Sequence, residues 1–396
     1  MIAKKILTYH KHEKGRVLAW MALIMGTGVG LNLPMFPNYV KSIVGTDIAT
    51  SIFYATTSVV VLIAALLSTI IFKKIHRTTI TKTSLIGLGL IFIFFIFATR
   101  ITELAIINTL KVWFNLFLLM TLALFVRDFA KEHNLGEKEG RFYTFSNIGY
   151  LIGPLLGGFL ASIFDYEMVF ILSALIFISG FVYFYHQHVI EKHPSIIDRK
   201  MTTKAKLIKN TKDYFKNINR TKAYLITCTQ MAWYGFKRLY IPLFVVSMGY
   251  VESMSGLIMS IGIIPFILME VRVGKYADKH GVKNPLTIGF LIMGITTILV
   301  FFSPYPLLSF ALIILSSIGG ALVEPLQEFF LFKNLPEEQE DNLYGIYMTA
   351  DPIAFFIVPA IGAAILFLLP FKFIFLVFGG IFMLASLFAH TKLKHS

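Results

Sequence analysis

A charge inside a run of about 20 apolar residues is expensive unless it faces a cavity or a partner, so the few that this chain places there are its first candidates for chemistry. Asp351 stands about two and a half turns into such a run, directly before Pro352, where an interrupted hydrogen-bond ladder can leave backbone carbonyls for a ligand. Glu324 also precedes a proline, Pro325, deep in another run. A carboxylate away from water must be paired, be neutralised by a proton, or alternate between those states, which makes either acid a candidate proton carrier. Asp351 is the first choice and Glu324 the second. Glu328 lies closer to the end of its run, within reach of water. The cations are Lys111, in the stretch Ile107-Asn108-Thr109-Leu110-Lys111-Val112-Trp113-Phe114-Asn115, and the adjacent Lys237 and Arg238. The last two lie nearest in depth to pair with Asp351; the alternative is that they only fix helix packing. For Lys111 a structural ion pair and a role in coupling both stay open. Lysine surrenders its proton when taken out of water far more readily than arginine.

The elements that position these groups are membrane spans. The chain is 56% hydrophobic and 15% charged, whereas ordinary soluble domains are about 45–50% apolar and about 25% charged. That composition belongs to an all-α polytopic membrane protein. A net charge of +14 would suggest nucleic acid in a soluble chain. Here the Lys and Arg fall in short loops between apolar runs and read as topology signals, with no nucleic-acid partner implied. The only cysteine, Cys228, lies inside an apolar run, so neither an intrachain disulfide nor a cysteine metal site is available. No histidine pair has metal-ligand context, and no Gly-x-x-x-x-Gly-Lys-Ser/Thr loop cradles a phosphate, so no metal, cofactor or ATP-driven step is expected. Lys4, Lys5, Lys11, Lys14 and Arg16 precede an apolar run too long for a signal-peptide core, and the first helix is expected to be retained.

Twelve runs approach the length of a bilayer crossing: 17–40, 49–72, 83–98, 104–126, 142–164, 168–185, 224–246, 254–273, 286–302, 306–332, 345–369 and 373–389. They group as an N-terminal six-helix bundle (1–185), a basic linker (186–222) and a C-terminal six-helix bundle (223–396). The linker carries Lys192, Arg199, Lys200, Lys204, Lys206, Lys209, Lys212, Lys216 and Arg220 with few acids. Placing it in the cytoplasm puts Lys73, Lys74, Arg77, Lys82, Lys275, Lys279 and Lys283 on the same side, and both termini with them. Residues 204–220 read either as a basic interfacial helix on anionic lipid or as a solvated linker. A shift of 205 residues superposes Gly30 on Gly235, Pro37 on Pro242, Gly89 on Gly294, Gly140 on Gly345, Pro154 on Pro359 and Gly157 on Gly362. Backbone-special residues agreeing at one offset across several segments indicate two pseudo-symmetric repeats.

The fifth run contains Gly140, Gly149, Gly153, Pro154, Gly157 and Gly158. Gly149, Gly153 and Gly157 recur every fourth residue, forming a smooth stripe against which a second helix can pack almost backbone to backbone. In water each Gly costs about 1 kcal/mol and an interior Pro about 3 relative to Ala. In a bilayer unsatisfied backbone is costlier still, so the segment stays helical, bent or loosened at Pro154. This order of residues resembles the complete fifth-helix signature of antiporters of the major facilitator superfamily. A second resemblance lies after the eighth run, where Gly274, Asp278, Lys279, Gly281 and Lys283 follow the superfamily's Gly-x-x-x-Asp-Arg/Lys-x-Gly-x-Arg/Lys loop. Gly281 allows a tight turn, and Asp278 can accept hydrogen bonds from a helix N-terminus or pair with basic neighbours. In the family this cluster latches the cytoplasmic side closed; a plain basic turn is the alternative. The first half keeps the positive charge in Ile71-Phe72-Lys73-Lys74-Ile75-His76-Arg77 but lacks the Asp and Gly, which puts a first-half latch in doubt. The family's exporters often carry an Arg, followed by a Gly-rich stretch, where this chain has Lys111 without the glycines.

The resemblance implies a twelve-helix carrier in which two six-helix bundles rock about a midplane cavity. Asn32, Asn147, Gln230, Trp113, Trp233 and Tyr234 occur on helices expected to line that cavity and to meet an amphipathic solute, although aromatics at helical spacing also serve as core or lipid-facing residues. The function expected is proton-coupled efflux of a small hydrophobic or cationic compound by a monomer in the cell membrane. Its rivals are an uptake carrier for a small nutrient and, from another class, a non-transporting receptor or an enzyme on the same fold. An enzyme would show a convergent His, Asp or Ser cluster near one membrane face, and the sequence has none.

Overall fold

With no water in a bilayer core, backbone polar groups must pair within the segment, and the apolar runs fold accordingly as helices. The computed structural model describes residues 2–129, 135–187, 204–335 and 340–393; Lys192, Arg199 and Lys200 of the linker lie outside them. In order, the helices are α1 (Ile2–Gly30), α2 (Phe36–Val44), α3 (Asp47–Lys74), α4 (Arg77–Ile96), α5 (Ile101–Phe129), α6 (Leu135–His186), α7 (Lys204–Lys216), α8 (Ile218–Ser247), α9 (Glu252–Ile261), α10 (Ile264–His280), α11 (Lys283–Phe302), α12 (Pro306–Lys333), α13 (Glu340–Tyr347), α14 (Ala350–Leu368) and α15 (Phe373–Lys392).

Among the described residues nine helical stretches are long and apolar enough to cross a membrane. That number and the twelve runs agree once three departures are explained. The stretch Arg141–His186 spans 46 residues and holds two crossings, because Asp165 (φ 68°, ψ 177°) breaks the helical path. The first run is divided: α1 is apolar only over Arg16–Gly30, and α2 completes the crossing beyond a turn at residues 31–35. The seventh, α8, is made less apolar by Gln230, Lys237 and Arg238. The chain is thus an all-α, twelve-crossing molecule in which α7 lies between the sixth and seventh crossings.

Two runs expected to be continuous are interrupted. Helix α9 ends at Ile261 and α10 restarts at Ile264 with Pro265 in its first turn. Likewise α13 ends at Tyr347 and α14 starts at Ala350. Pro352 has no N–H to return to the preceding turn, so the ladder lapses there. Asp351 consequently sits in the first turn of α14, instead of two and a half turns into a helix. Prolines 154, 242, 325 and 359 lie within helices that run through them.

Contacts divide the chain into two compact units. The first comprises Met1–Val44, Val60–Asp198 and Tyr250–Ser260. Its axis is the pairing of α1 with α6. A Cβ on Gly149 would lie 2.6 Å from Thr27 N, one on Gly153 would lie 2.8 Å from Thr27 O, and one on Gly157 would overlap Leu31 O. The neighbour that the glycine stripe admits is therefore α1, backbone against backbone. Helix α9 docks on the same helix: Gly158 and Gly256 face each other, Ser253 N donates to Ser162 Oγ (2.8 Å), and Tyr166 Oη donates to Glu252 Oε1 (2.8 Å). Helix α4 packs on α5 and α6 through rings such as Phe92 and Phe177, stacked at 5.6 Å.

The second unit comprises Gly45–Val59, Arg199–Gly249 and Ile261–Ser396. Here α8 pairs with α14, and α11 with α12 and α15. The repeat is visible in the partners, since Gly235 and Gly362, the counterparts of Gly30 and Gly157, lie in the α8–α14 seam. They meet side chains, however: Gly235 faces Phe355 and Gly362 lies under the Tyr240 hydroxyl. The first turns of α3 join this unit, with Ser51 Oγ 3.1 Å from Tyr240 Oη and Ser58 Oγ donating to Phe355 O (2.7 Å). Tyr214 of α7 is fully buried in a cluster with Ala223, Tyr224, Leu331, Leu343 and Tyr347. Burial pushes its hydroxyl well above the ordinary tyrosine range, so it stays a donor.

Gly157→Ala is expected to destabilise the protein by about 1–3 kcal/mol, because the methyl group meets backbone that cannot swing aside. Gly274→Ala, inside α10 with open space around its Cβ, should instead leave stability unchanged or raise it by up to about 1 kcal/mol. Thermal unfolding of the two variants in detergent checks the contrast.

Candidate functional site

The main polar cluster of the second unit arises where two helices each turn one face inward. On α8, Gln230, Trp233, Tyr234 and Lys237 follow at spacings of three, four and seven, which places them on one side of a helix. On α12, Ser317, Gly320 and Glu324 do the same at three and seven. Tyr234 Oη donates to Glu324 Oε2 at 2.5 Å. Lys237 Nζ donates to Ser317 Oγ at 2.8 Å and lies 4.4 Å from the centroid of the Trp233 ring. Gln230 Nε2 donates to Gly320 O at 3.2 Å. Gly320 is required for this closeness, since a Cβ there would come within 2.8 Å of Trp233 and 3.0 Å of Phe266 on α10. Phe266 completes an aromatic wall, 6.1 Å from both Trp233 and Tyr234. Three buried polar atoms in this region have no hydrogen-bond partner: Gln230 Oε1, Trp233 Nε1 and Gln327 Oε1.

Asp351 occupies a neighbouring position. Arg238 is the cation whose field reaches its carboxylate, and that guanidinium lies 5.4 Å from the Phe355 centroid. Lys237, the other expected partner for Asp351, instead reaches Glu324 by its field while its hydrogen bond goes to Ser317. Among the described residues neither cation closes a direct salt bridge with either acid. Around Asp351, Tyr224 Oη and Thr349 Oγ1 lie 2.9 Å apart, and Thr227 Oγ1 donates to Tyr347 Oη at 2.7 Å. Glu328 is exposed and accepts from Tyr344 Oη at 2.8 Å.

In the first unit Lys111 has no carboxylate beside it among the described residues. Its Nζ sits 3.4 Å from the Phe36 ring centroid and 5.3 Å from that of Phe95. Those rings pack edge to face at 5.3 Å, and Tyr39 braces them by donating to Phe95 O at 2.6 Å. A cation held by rings is attracted by the ring quadrupole but not neutralised. Asn32 Nδ2 donates to Gly28 O (2.9 Å) and Ser173 Oγ (3.0 Å), tying the end of α1 to α6. Its Oδ1 is buried without a partner, as is Nε1 of Trp113. Asn147 is half-buried on α6.

In the loop motif Gly281 takes φ 79° and ends α10, with its N–H on Ala277 O; that positive φ is what the glycine supplies. Asp278 and Lys279 are exposed. None of the described residues hydrogen-bonds to Asp278.

Several members of these clusters did not stand out in the sequence: Ser317 and Phe266 beside Lys237 and Trp233, and Phe36, Tyr39 and Phe95 around Lys111. A usable signal was the spacing of Ser317, Gly320 and Glu324, a polar and small stripe on an otherwise apolar helix. Nothing in the sequence joins Lys111 to rings on two other helices.

The chain matches the family model described as Major Facilitator Superfamily over residues 18–271 and 227–394. It is 21% identical over 356 residues to an uncharacterized MFS-type transporter of Methanocaldococcus jannaschii, covering 88% of this chain and 90% of that one. It is 22% identical over 394 residues to the multidrug resistance protein MdtG of Escherichia coli O9:H4, covering 96% and 95%. Among solved structures, that of a D-xylose-proton symporter superposes with a TM-score of 0.76 at 14% identity, covering 96% of this chain and 97% of that one.

Asp351→Asn is expected to change unfolding stability by no more than about 1 kcal/mol, since no direct ion pair is broken. A closed buried pair would lose about 3–5 kcal/mol on the same substitution. Thermal unfolding in detergent separates the two.

Proposed function

Because the chain belongs to the Major Facilitator Superfamily, we propose that it is a secondary active transporter that exports a small hydrophobic or cationic compound in exchange for protons by alternating access. The observation that carries the reading is the bond from Tyr234 Oη to Glu324 in a seam walled by Trp233 and Phe266. A half-buried carboxylate in this seam, with Glu270 and Glu328 near enough for their fields to reach it, is neutralised by a proton or by a cationic solute, and holding neither is costly. Arrival of the solute therefore favours release of the proton, and arrival of the proton favours release of the solute. That competition is coupling. Tyr234 donates a hydrogen bond to the carboxylate oxygen between the two events, which lowers the cost of the bare anion. The rings of Tyr234 and Phe266 suit a flat apolar or cationic solute, while that of Trp233 already carries the Lys237 ammonium.

Asp351 stays in the proposal as the second acid, free of a fixed counter-ion. Export is supported by the glycine signature of the fifth crossing and by the similarity to a protein named for multidrug resistance. Uptake is the second reading, favoured by the fold likeness to a proton symporter. In both, the carrier works as a monomer in the cell membrane with its termini and linker in the cytoplasm.

Proteoliposomes with an imposed pH gradient decide between export and uptake. Antiport moves a lipophilic cation against the proton flow; movement with the flow would establish symport, and indifference to pH would sink coupling altogether. Glu324→Gln is expected to keep downhill exchange but to reduce pH-driven accumulation to that of protein-free vesicles. Retention of full accumulation in that variant, with its loss in Asp351→Asn, would move the proton to Asp351. For orientation, Ile208→Cys in a Cys228→Ser background should react with an impermeant maleimide in inside-out vesicles only. Labelling from outside intact cells would overturn the topology.

A further inference from the structure

Helix α7 is docked at one end and free along one face. Its C-terminal turn is tied down: Tyr214 is fully buried, Tyr214 Oη donates to Arg220 O at 3.1 Å, and Arg220 Nη2 returns to Asp213 O at 3.0 Å. Asn217 Oδ1 caps α8 by accepting from Asn219 N and Arg220 N, and Thr221 Oγ1 donates to Phe215 O. These bonds fix the direction in which the rest of α7 points. At about 100° per residue, Lys209, Lys212 and Lys216 form a narrow stripe opposite Tyr214, and all three are exposed. Beside the stripe Phe215 packs one edge on Tyr214 and Tyr224 and leaves 41% of its surface exposed, and beyond the Asn217 cap Ile218, the first residue of α8, is 66% exposed. Between 209 and 222 the only acid is Asp213, against five Lys and Arg.

A solvated helix also places its lysines opposite a buried residue such as Tyr214, but it gains nothing by leaving Phe215 and Ile218 exposed next to them. A helix lying in a membrane interface has reason for both, because the rings and aliphatic groups enter the acyl boundary while the ammonium groups stay at the phosphates. The location agrees. Only about eight residues, or about 12 Å of helix, separate Lys216 from the start of the apolar run in α8, so the end of α7 falls at the depth of the headgroup layer. Lys222, one turn further on, donates its Nζ to Lys392 O at 2.6 Å and extends the basic surface toward α15.

We propose that this face of α7 together with the start of α8 binds the anionic phospholipid of the leaflet it faces, with Lys209, Lys212 and Lys216 taking headgroup phosphates and Phe215 of α7 and Ile218 of α8 entering the acyl boundary. Lipid contact at this surface is independent of what the carrier transports, and its test does not use transport. A Phe215→Trp reporter is placed in the full-length protein and reconstituted in vesicles of phosphatidylcholine with phosphatidylglycerol, one or the other lipid brominated. The expected result is stronger quenching of the added fluorescence by brominated phosphatidylglycerol. The preference for that lipid should be on the order of a hundredfold at low salt for three lysines and should fall as salt rises. Replacing Lys209, Lys212 and Lys216 by Gln should remove the preference and leave quenching by the brominated zwitterionic lipid in place. Equal quenching by both lipids in the unreplaced protein would mean apolar insertion without anion recognition. No quenching by either would mean that the face meets a soluble partner or water. A preference that survives the triple replacement would assign the recognition elsewhere. Each of these three results overturns the proposal.

Discussion

The cost of a charge away from water governs how this molecule is built. Among the described residues, the charges that the second unit's α8, α12 and α14 carry do not close salt bridges with one another; they and Lys111 rest on neutral dipoles and aromatic rings. Glu324 accepts from a tyrosine hydroxyl, Lys237 donates to a serine hydroxyl over an indole, Arg238 lies over a phenylalanine ring, and Lys111 lies over two. A closed ion pair is stable because each charge cancels the other, and for the same reason it has nothing left for a third ion. Hydroxyls and rings lower the cost of a charge without cancelling it. The arrangement keeps charge available at positions where solvent is scarce, which is the property a coupled carrier requires.

The repeat preserves partners more faithfully than it preserves chemistry. In the first unit α1 and α6 approach through glycine, with backbone meeting backbone. In the second the equivalent α8 and α14 meet through Tyr240, Phe355 and Val358 laid over Gly362 and Gly235. A seam of glycines resists any change in spacing, because no side chain is present to take up the difference. A seam of rings has rotamers to spend and leaves room for polar groups, and the second unit is where Glu324 and Asp351 are found. The two halves thus divide stiffness and chemistry between them.

Much of this was legible in the sequence, for physical reasons that can be named. Hydropathy fixed the crossings because a bilayer tolerates so little else. Even the exceptions had local causes: Gln230, Lys237 and Arg238 make the α8 crossing less apolar than the others, and the backbone break at Asp165 divides one long helical stretch into two crossings. The glycines at 149, 153 and 157 announced a close helix contact, since a stripe without side chains has no other efficient use in a membrane. They did not say which helix would come. That choice belongs to the whole chain, because every helix in a bilayer looks equally apolar from outside.

The same limit applies to the charged residues. Their presence in apolar runs was visible at once, and it marked Asp351, Glu324, Lys111, Lys237 and Arg238 as residues needing an explanation. Their partners were not visible, since Tyr234 and Glu324 stand 90 positions apart and Lys111 is separated from Phe36 by a turn and three helices of chain. Pro352 lay in plain view, yet whether it would merely bend a helix or end one was decided by packing, and with it the position of Asp351 at the start of α14. The sequence by itself determined the class of solvent, the number of crossings and the list of costly residues. Only the tertiary structure decided which dipole or ring each costly residue would meet, because those contacts are set by how helices of similar surface pack against one another.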